Sequence, residues 1–360
     1  MKKLFYFAAA AVALAACAKN EVIPVNSGEN QEITFNVAPK TKGHSEFGEN
    51  LTFKSYAYYL PNGKTWAADK SSSELYINGA EISKVDGVWK NENTPYYWPK
   101  NGSLTFFAWT SLKETVGNPN PYTVSYVKDV TCSNTTGIKV EHYEVDSEKN
   151  KNVDLLVAVI KADQNANTTT TAAGKYYNNG VPTLFRHTLS YVIFNVVTDK
   201  KYSPTKKFEL KSITFEDIAN KGTYQQIPAS SDTKNWTAEG KKGQTYYTAP
   251  EAATGVIITE APTTLTSNAT QNYFLPQEFS NTAKLVITYE VTTTEGKSTS
   301  VDHVVKEIYI NPDEGSKMFQ SWLMGKKYTV TLTFKLDEIL WDPAVEDWTT
   351  ADGTVSSDVK

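Results

Sequence analysis

Apolar and polar positions alternate with a period of two along most of this chain from Gln31 onward, the pattern of strands with one buried face. Ile33, Phe35 and Val37 share one face of a first short strand, and Leu51, Phe53 and Ser55 begin a second. The pattern continues through Glu74-Leu75-Tyr76-Ile77, Gly87-Val88-Trp89 and Leu104-Thr105-Phe106-Phe107-Ala108-Trp109. Turn chemistry divides these runs. Pro61-Asn62-Gly63-Lys64 and Lys100-Asn101-Gly102-Ser103 carry the Asn and Gly residues that tolerate positive φ. Residues 184–197 form a longer β-branched and aromatic run, which predicts a strand covered on both faces. Further strands are predicted over 208–215, 256–259, 284–291, 304–310 and 328–336. No segment sustains a 3.6-residue apolar stripe, and residues 318–323 amount to one or two helical turns at most. The pattern predicts an all-β protein.

The first 30 residues depart from it. Lys2 and Lys3 precede an apolar run over 4–16 that ends in Leu14-Ala15-Ala16-Cys17. A short basic head, an apolar stretch and small residues before a break describe a secretory signal peptide over 1–16. The run is too short to span a bilayer, which takes roughly 20 residues. A cysteine directly after Leu-Ala-Ala resembles a lipobox, which makes Cys17 the expected lipidation site, anchored in the outer membrane by acyl chains. Residues 17–30 then read as a lipidated polar tether. Removing residues 1–16 leaves 344 of the 360 residues, enough for two domains. The expected boundary lies at 198–204, dividing an N-terminal β-sandwich over 31–198 from a C-terminal one over 199–348, with a polar tail over 349–360.

Charge and composition narrow the function classes. Loss of Lys2 and Lys3 leaves 34 basic against 40 acidic side chains, a net charge of −6. Arg186 is the single arginine. Neither feature suits nucleic acid, whose phosphates and base edges favour arginine. With Cys17 acylated, Cys132 has no intramolecular partner, so the fold must stand on buried area rather than disulfides. Tyrosine (21), phenylalanine (15) and tryptophan (8) supply that area.

A catalytic constellation is not legible. His44, His142, His187 and His303 form no His-Glu-x-x-His pattern, and no phosphate-cradling glycine loop or Gly-x-Ser-x-Gly elbow occurs. Asp163 opens a run like a calcium loop, but its twelfth position is Gly174 rather than Glu. His187, beside Arg186, reads as a structural histidine near a strand end, since no orienting partner is visible nearby. No cofactor or metal is implied, and no enzyme activity. The aromatic groups Tyr56, Tyr58, Tyr59, Tyr96, Tyr97, Trp98 and Trp109 read as core, with a carbohydrate-stacking platform as the alternative. Trp66 is expected to be exposed on such a surface.

An ordered series of segments resembles the fimbrillin family, type V pilin-like surface lipoproteins of anaerobic Gram-negative bacteria. The series comprises Tyr96-Tyr97-Trp98-Pro99, residues 104–109, Asp154-Leu155-Leu156-Val157-Ala158 and Phe185-Arg186-His187-Thr188-Leu189-Ser190. It continues through Phe274-Leu275-Pro276-Gln277, Leu285-Val286-Ile287-Thr288-Tyr289, residues 322–328, and the closing Ile339, Val345, Glu346, Asp347 and Trp348. The resemblance implies two transthyretin-like β-sandwiches in tandem and a pilus subunit, anchor or accessory subunit. Its partners would be other pilus subunits, with the outer membrane holding the acyl chains. It also implies assembly by β-strand complementation, in which protease removes the N-terminal strand and a neighbour donates a replacement. Here the displaced strand would present Ile33, Phe35 and Val37, processing would fall at Lys40 or Lys42, and the donor would lie within 328–360. The alternative function is an adhesin or glycan-binding module on the same scaffold, with host protein or glycan as partner.

Overall fold

The computed structural model describes residues 31–37, 48–114, 122–145, 152–166, 180–199, 202, 205–227, 235–240, 243–250, 254–265, 272–311 and 320–347. These residues are all-β apart from one helical turn, Trp66–Asp69, and the 3-10 turn Lys70–Ser72 that follows it.

A ten-stranded sheet dominates the first half. Its order is Val181–Thr183, Phe35–Val37, Val88–Lys90, Glu74–Val85, Phe53–Leu60, Ser103–Glu114, Val153–Ala158 and Phe185–His187. Tyr122–Val124 and Lys161–Gln164 also pair with Ser103–Glu114. The strands at its middle are buried on both faces, and their alternation shows how. Phe53 and Ala57, Leu104, Phe106 and Ala108, and Leu156 and Ala158 enter one core. The residues between them, Tyr58 and Leu60, Phe107 and Trp109, and Leu155 and Val157, enter another. The first core is closed by the sheet itself, whose far strands supply Phe35, Trp89 and Val181 to it. The second is closed by a four-stranded sheet of order Trp236–Ala238, Lys221–Gln225, Gly137–Glu144 and Val130–Ser133. That sheet joins strands from both sides of residues 198–204.

The third core lies between two five-stranded sheets. In one, Ser190–Thr198 runs parallel to Lys326–Phe334, which pairs antiparallel with Ile339–Asp347. In the other, the order is Gln244–Thr248, Lys206–Glu216, Lys284–Glu295 and Ser298–Tyr309. Phe194, Phe208, Phe215, Tyr289 and Phe334 are among the side chains that fill the space.

The long run over 184–197 is not one strand. Phe185–His187 pairs with Val153–Ala158, whereas Ser190–Thr198 belongs to a sheet around the third core. Thr188 and Leu189 carry the chain between sheets, and both are buried. Trp236 Nε1 donates to the Thr188 carbonyl at 2.6 Å, satisfying backbone that has left its ladder.

Candidate functional site

The N-terminal strand sits inside its sheet rather than at an edge. Phe35–Val37 pairs in parallel with Val181–Thr183 on one side and antiparallel with Val88–Lys90 on the other, through Phe35 and Trp89. The residues before it are also tied down. Ile33 N–H donates to the Tyr96 carbonyl at 2.7 Å, Trp98 N–H to the Gln31 carbonyl at 3.0 Å, and Val181 N–H to the Thr34 carbonyl at 2.7 Å. A three-residue strand would be marginal alone; here both neighbours supply hydrogen bonds.

The side chains follow the alternation. Ile33, Phe35 and Val37 are 2%, 4% and 7% exposed, while Asn36 between the last two points to solvent. Phe35 meets Phe53 and Phe106 edge-to-face, with ring centroids 5.5 and 5.9 Å apart. Gly180 forms the wall beside it. Its φ is +96°, and a Cβ there would lie 2.7–2.9 Å from the backbone C, N and Cα of Phe35. Only glycine lets the two backbones approach so closely. If the N-terminal segment left, it would uncover an apolar cleft and the unpaired backbone of two strands, a receptor for another extended peptide.

The residues of the candidate displaced strand, Ile33, Phe35 and Val37, therefore come together on one face of one slot. Lys40, Lys42 and Cys17 lie outside the described residues. Of the donor region, Lys326–Phe334 is interior, flanked on both sides and burying Tyr328, Val330, Leu332 and Phe334. Ile339–Asp347 is a border strand, with Leu340 and Val345 exposed. Its ion pairs to the neighbouring strand, Lys326–Asp347 and Lys327–Glu346, are exposed contacts that hold it weakly.

Other residues singled out in the sequence are structural. His187 Nδ1 lies 2.6 Å from Asp154 Oδ2, with both side chains buried. That partner stands on the adjacent strand, 33 residues away in sequence, where local spacing gives no sign of it. Burial pushes the Cys132 thiol up to about 12, so it stays protonated and a poor nucleophile at neutral pH. Asp163 accepts the Trp66 N–H at 2.8 Å and so secures the helical turn. Trp66 is not exposed: it is 7% accessible, packed against Phe107 with centroids 5.5 Å apart. Trp98, Trp109 and Tyr58 are likewise buried, so these rings build cores instead of a sugar platform. The slot wall, residues 180–183, was not legible in the sequence; its one local signal is a glycine ahead of Val181-Pro182-Thr183.

Comparison with known proteins places this fold. The model of a family described as fimbrillin-like matches residues 49–348. A fimbrial protein from Bacteroides vulgatus superposes with a TM-score of 0.62 at 18% identity, covering 89% of this chain and 100% of that one. A proposed cell adhesion protein from Bacteroides uniformis gives 0.45 at 14% identity, covering 88% and 99%. The tip fimbrial protein Mfa3 from Porphyromonas gingivalis, truncated at its C-terminus, gives 0.38 at 11%, covering 89% and 99%. No curated protein sequence matches.

Proposed function

This chain belongs to the fimbrillin-like family, and from that premise we propose that it is a lipid-anchored pilus subunit, or an anchor or accessory subunit, that assembles by exchanging its N-terminal strand. The family is one of fimbrial structural proteins at the cell surface, and catalysis has no part in this reading. Export would end with acylation of Cys17 in the outer membrane, and each subunit would be a tandem of two β-sandwiches, 31–198 and 199–348. Cleavage at Lys40 or Lys42 would release the segment carrying Ile33, Phe35 and Val37. The observation that carries the proposal is the position of that segment, paired on both sides inside a sheet yet contributed by residues 31–37 of a 360-residue chain.

The energetics suit an exchange. Burying three large apolar side chains contributes on the order of 5–8 kcal/mol, before the cost of ordering the segment is subtracted. A replacement strand with the same alternation recovers this term. Ile339–Asp347 is the accessible candidate within 328–360, because withdrawing it unpairs one neighbour only. The adhesin alternative loses its aromatic platform, since the tryptophans it relied on are buried.

The test is digestion of the full chain with a lysine-specific protease, followed by addition of a peptide copying residues 339–348. Release of a fragment ending at Lys40 or Lys42, then polymerisation or peptide capture, is the expected result. A trimmed chain that stays folded and monomeric, with no affinity for the peptide, refutes strand exchange. Labelling cells with an acyl-chain analogue tests the anchor: Cys17→Ala abolishes incorporation if the lipobox is read correctly.

A further inference from the structure

The strand Ser298–Tyr309 borders its five-stranded sheet. It pairs residue for residue with Lys284–Glu295 along one side, and no other described strand pairs with its far side. Long β-branched edges invite further pairing, and proteins ordinarily blunt them with proline, bulges or charge. This edge is twelve residues long, contains no proline and holds its register without a bulge. The border strand of the opposing sheet, Ile339–Asp347, carries Pro343 and three acidic side chains, Asp342, Glu346 and Asp347.

The outer face of this edge has a specific order. Opposite the outward residues of Lys284–Glu295 stand Val301, His303, Val305, Glu307 and Tyr309. Val301, Val305 and Tyr309 are 48%, 62% and 48% exposed. The series reads apolar, basic, apolar, acidic, apolar, so reversing it exchanges His for Glu and leaves the rest apolar. In an antiparallel pair centred on Val305, each Val305 faces its counterpart. Each His303 then faces Glu307 of the second copy, and each Val301 faces Tyr309 of the second copy. The two polar groups are already held on this face: His303 Nδ1 is 3.1 Å from Glu290, and Glu307 is 2.7 Å from Lys284. Pairing would extend these contacts into a ladder of alternating donors and acceptors, Lys284, Glu307, His303 and Glu290, running from one copy to the other. Facing hydrogen-bonding side chains and facing apolar side chains both stabilise an antiparallel pair.

A register one residue away is poorer. Centred on Val304, it sets Val301 against Glu307 and leaves Tyr309 opposite Thr299. It gains Asp302 opposite Lys306, but the Lys306 ammonium already donates to the Asp337 carbonyl at 3.0 Å.

We propose that this edge is a self-complementary interface, at which a second copy of the chain pairs antiparallel along residues 301–309 about a two-fold axis at Val305. Two five-stranded sheets thereby join into one continuous sheet. The inference stands apart from the strand-exchange reading, because the edge and the N-terminal slot belong to different sheets.

The test uses the full chain in detergent with single cysteine substitutions, oxidised and run without reductant beside the unsubstituted chain. Directly opposed residues bring their Cα atoms to about 4.5–5.5 Å, within the range of about 4.4–6.8 Å over which a disulfide closes. Val305→Cys is expected to form a covalent dimer, whereas Glu307→Cys, displaced from its own counterpart by four residues, is not. Val305→Lys, which sets two ammonium groups together on the axis, is expected to abolish the dimer seen by sedimentation. Preferential cross-linking through Val304→Cys overturns the register and with it the proposal. So does a chain that sediments as a monomer at every concentration with Val305→Cys no more reactive than Glu307→Cys.

Discussion

Gly180→Ala probes the N-terminal slot from outside the strand it holds. The added Cβ would lie 2.7, 2.8 and 2.9 Å from the backbone C, N and Cα of Phe35. Backbone atoms cannot rotate aside, so the strand has to move. Overpacking of this kind costs about 1–3 kcal/mol. A second cost comes from the φ of +96°, where an L-residue is strained whatever space surrounds it. Gly63→Ala separates the two: its φ is +81°, and nothing lies within 4 Å of the Cβ it would add. The difference between the variants is the steric term alone, which raises the opening equilibrium of residues 31–37 roughly 5- to 150-fold. Hydrogen exchange followed by mass spectrometry reads it directly, at the amides of Ile33 and Val181 that donate across the slot. Amides of Ser103–Glu114, braced by cores on both faces, serve as the internal reference for global unfolding. Exchange at residues 33–37 that is equal in Gly180→Ala and Gly63→Ala would refute the contact as the seat of the strand.

Three further outcomes are expected. Asp154→Ala strips His187 of its buried partner and should cost about 3–5 kcal/mol in urea unfolding, far more than removing an exposed pair such as Lys327–Glu346. Cys132, whose thiol is pushed up to about 12 by burial, should resist alkylation at pH 8 in the folded chain and react promptly once unfolded, where the ordinary value near 8.5 applies. The folded thiol binds its proton more tightly than the unfolded one. Its contribution to stability is therefore complete below about 8.5 and falls as pH rises towards about 12. Trp66→Ala should destabilise by about 3–5 kcal/mol and leave any glycan-array signal unchanged, since the ring lies in a core.

The alternation that made the chain legible as all-β reflects local physics: successive side chains leave a strand on opposite faces, so burial writes itself into the sequence. Ile33, Phe35 and Val37 were readable on that ground, and all three share one buried face. What alternation does not encode is the identity of the neighbour. Residues 184–197 read as one strand because apolar character persists through Thr188 and Leu189, where the chain passes between sheets. Asp154 was invisible as the partner of His187 for the same reason: strand pairing brought it there, across 33 residues. Trp66 misled differently. Its neighbours, Lys64-Thr65 before it and Ala67-Ala68-Asp69 after it, show no strand alternation, yet the helical turn rotates the ring into the core while Asp163, from a distant strand, holds the turn's first N–H.

The layering also bears on whether the body tolerates loss of its first strand. Removing residues 31–37 unpairs Val181–Thr183 and frees one side of Val88–Lys90, which keeps its pairing with Glu74–Val85; both lie at the far end of the ten-stranded sheet. The strands lining the floor of the slot, Phe53–Leu60 and Ser103–Glu114, keep their own pairing and their second core on the opposite face. Phe53 and Phe106 would thus stay in place as a preformed apolar floor, and a preformed site spares an incoming strand the cost of ordering its receptor. The segment that fits this floor reads Ile33-Thr34-Phe35-Asn36, and the border strand of the five-stranded sheet that contains Lys326–Phe334 reads Ile339-Leu340-Trp341-Asp342. In both, a β-branched residue and an aromatic one stand two apart with a short polar side chain following the ring. Ile339 and Trp341 already face the third core from an unprotected position, packed against it but only partly buried. Transfer to the slot would exchange that half-burial for the nearly complete burial of Ile33 and Phe35. Under the proposed strand exchange, the gain in buried apolar area at these two positions, at about 25 cal/mol per Å², would favour transfer from one copy to the slot of the next.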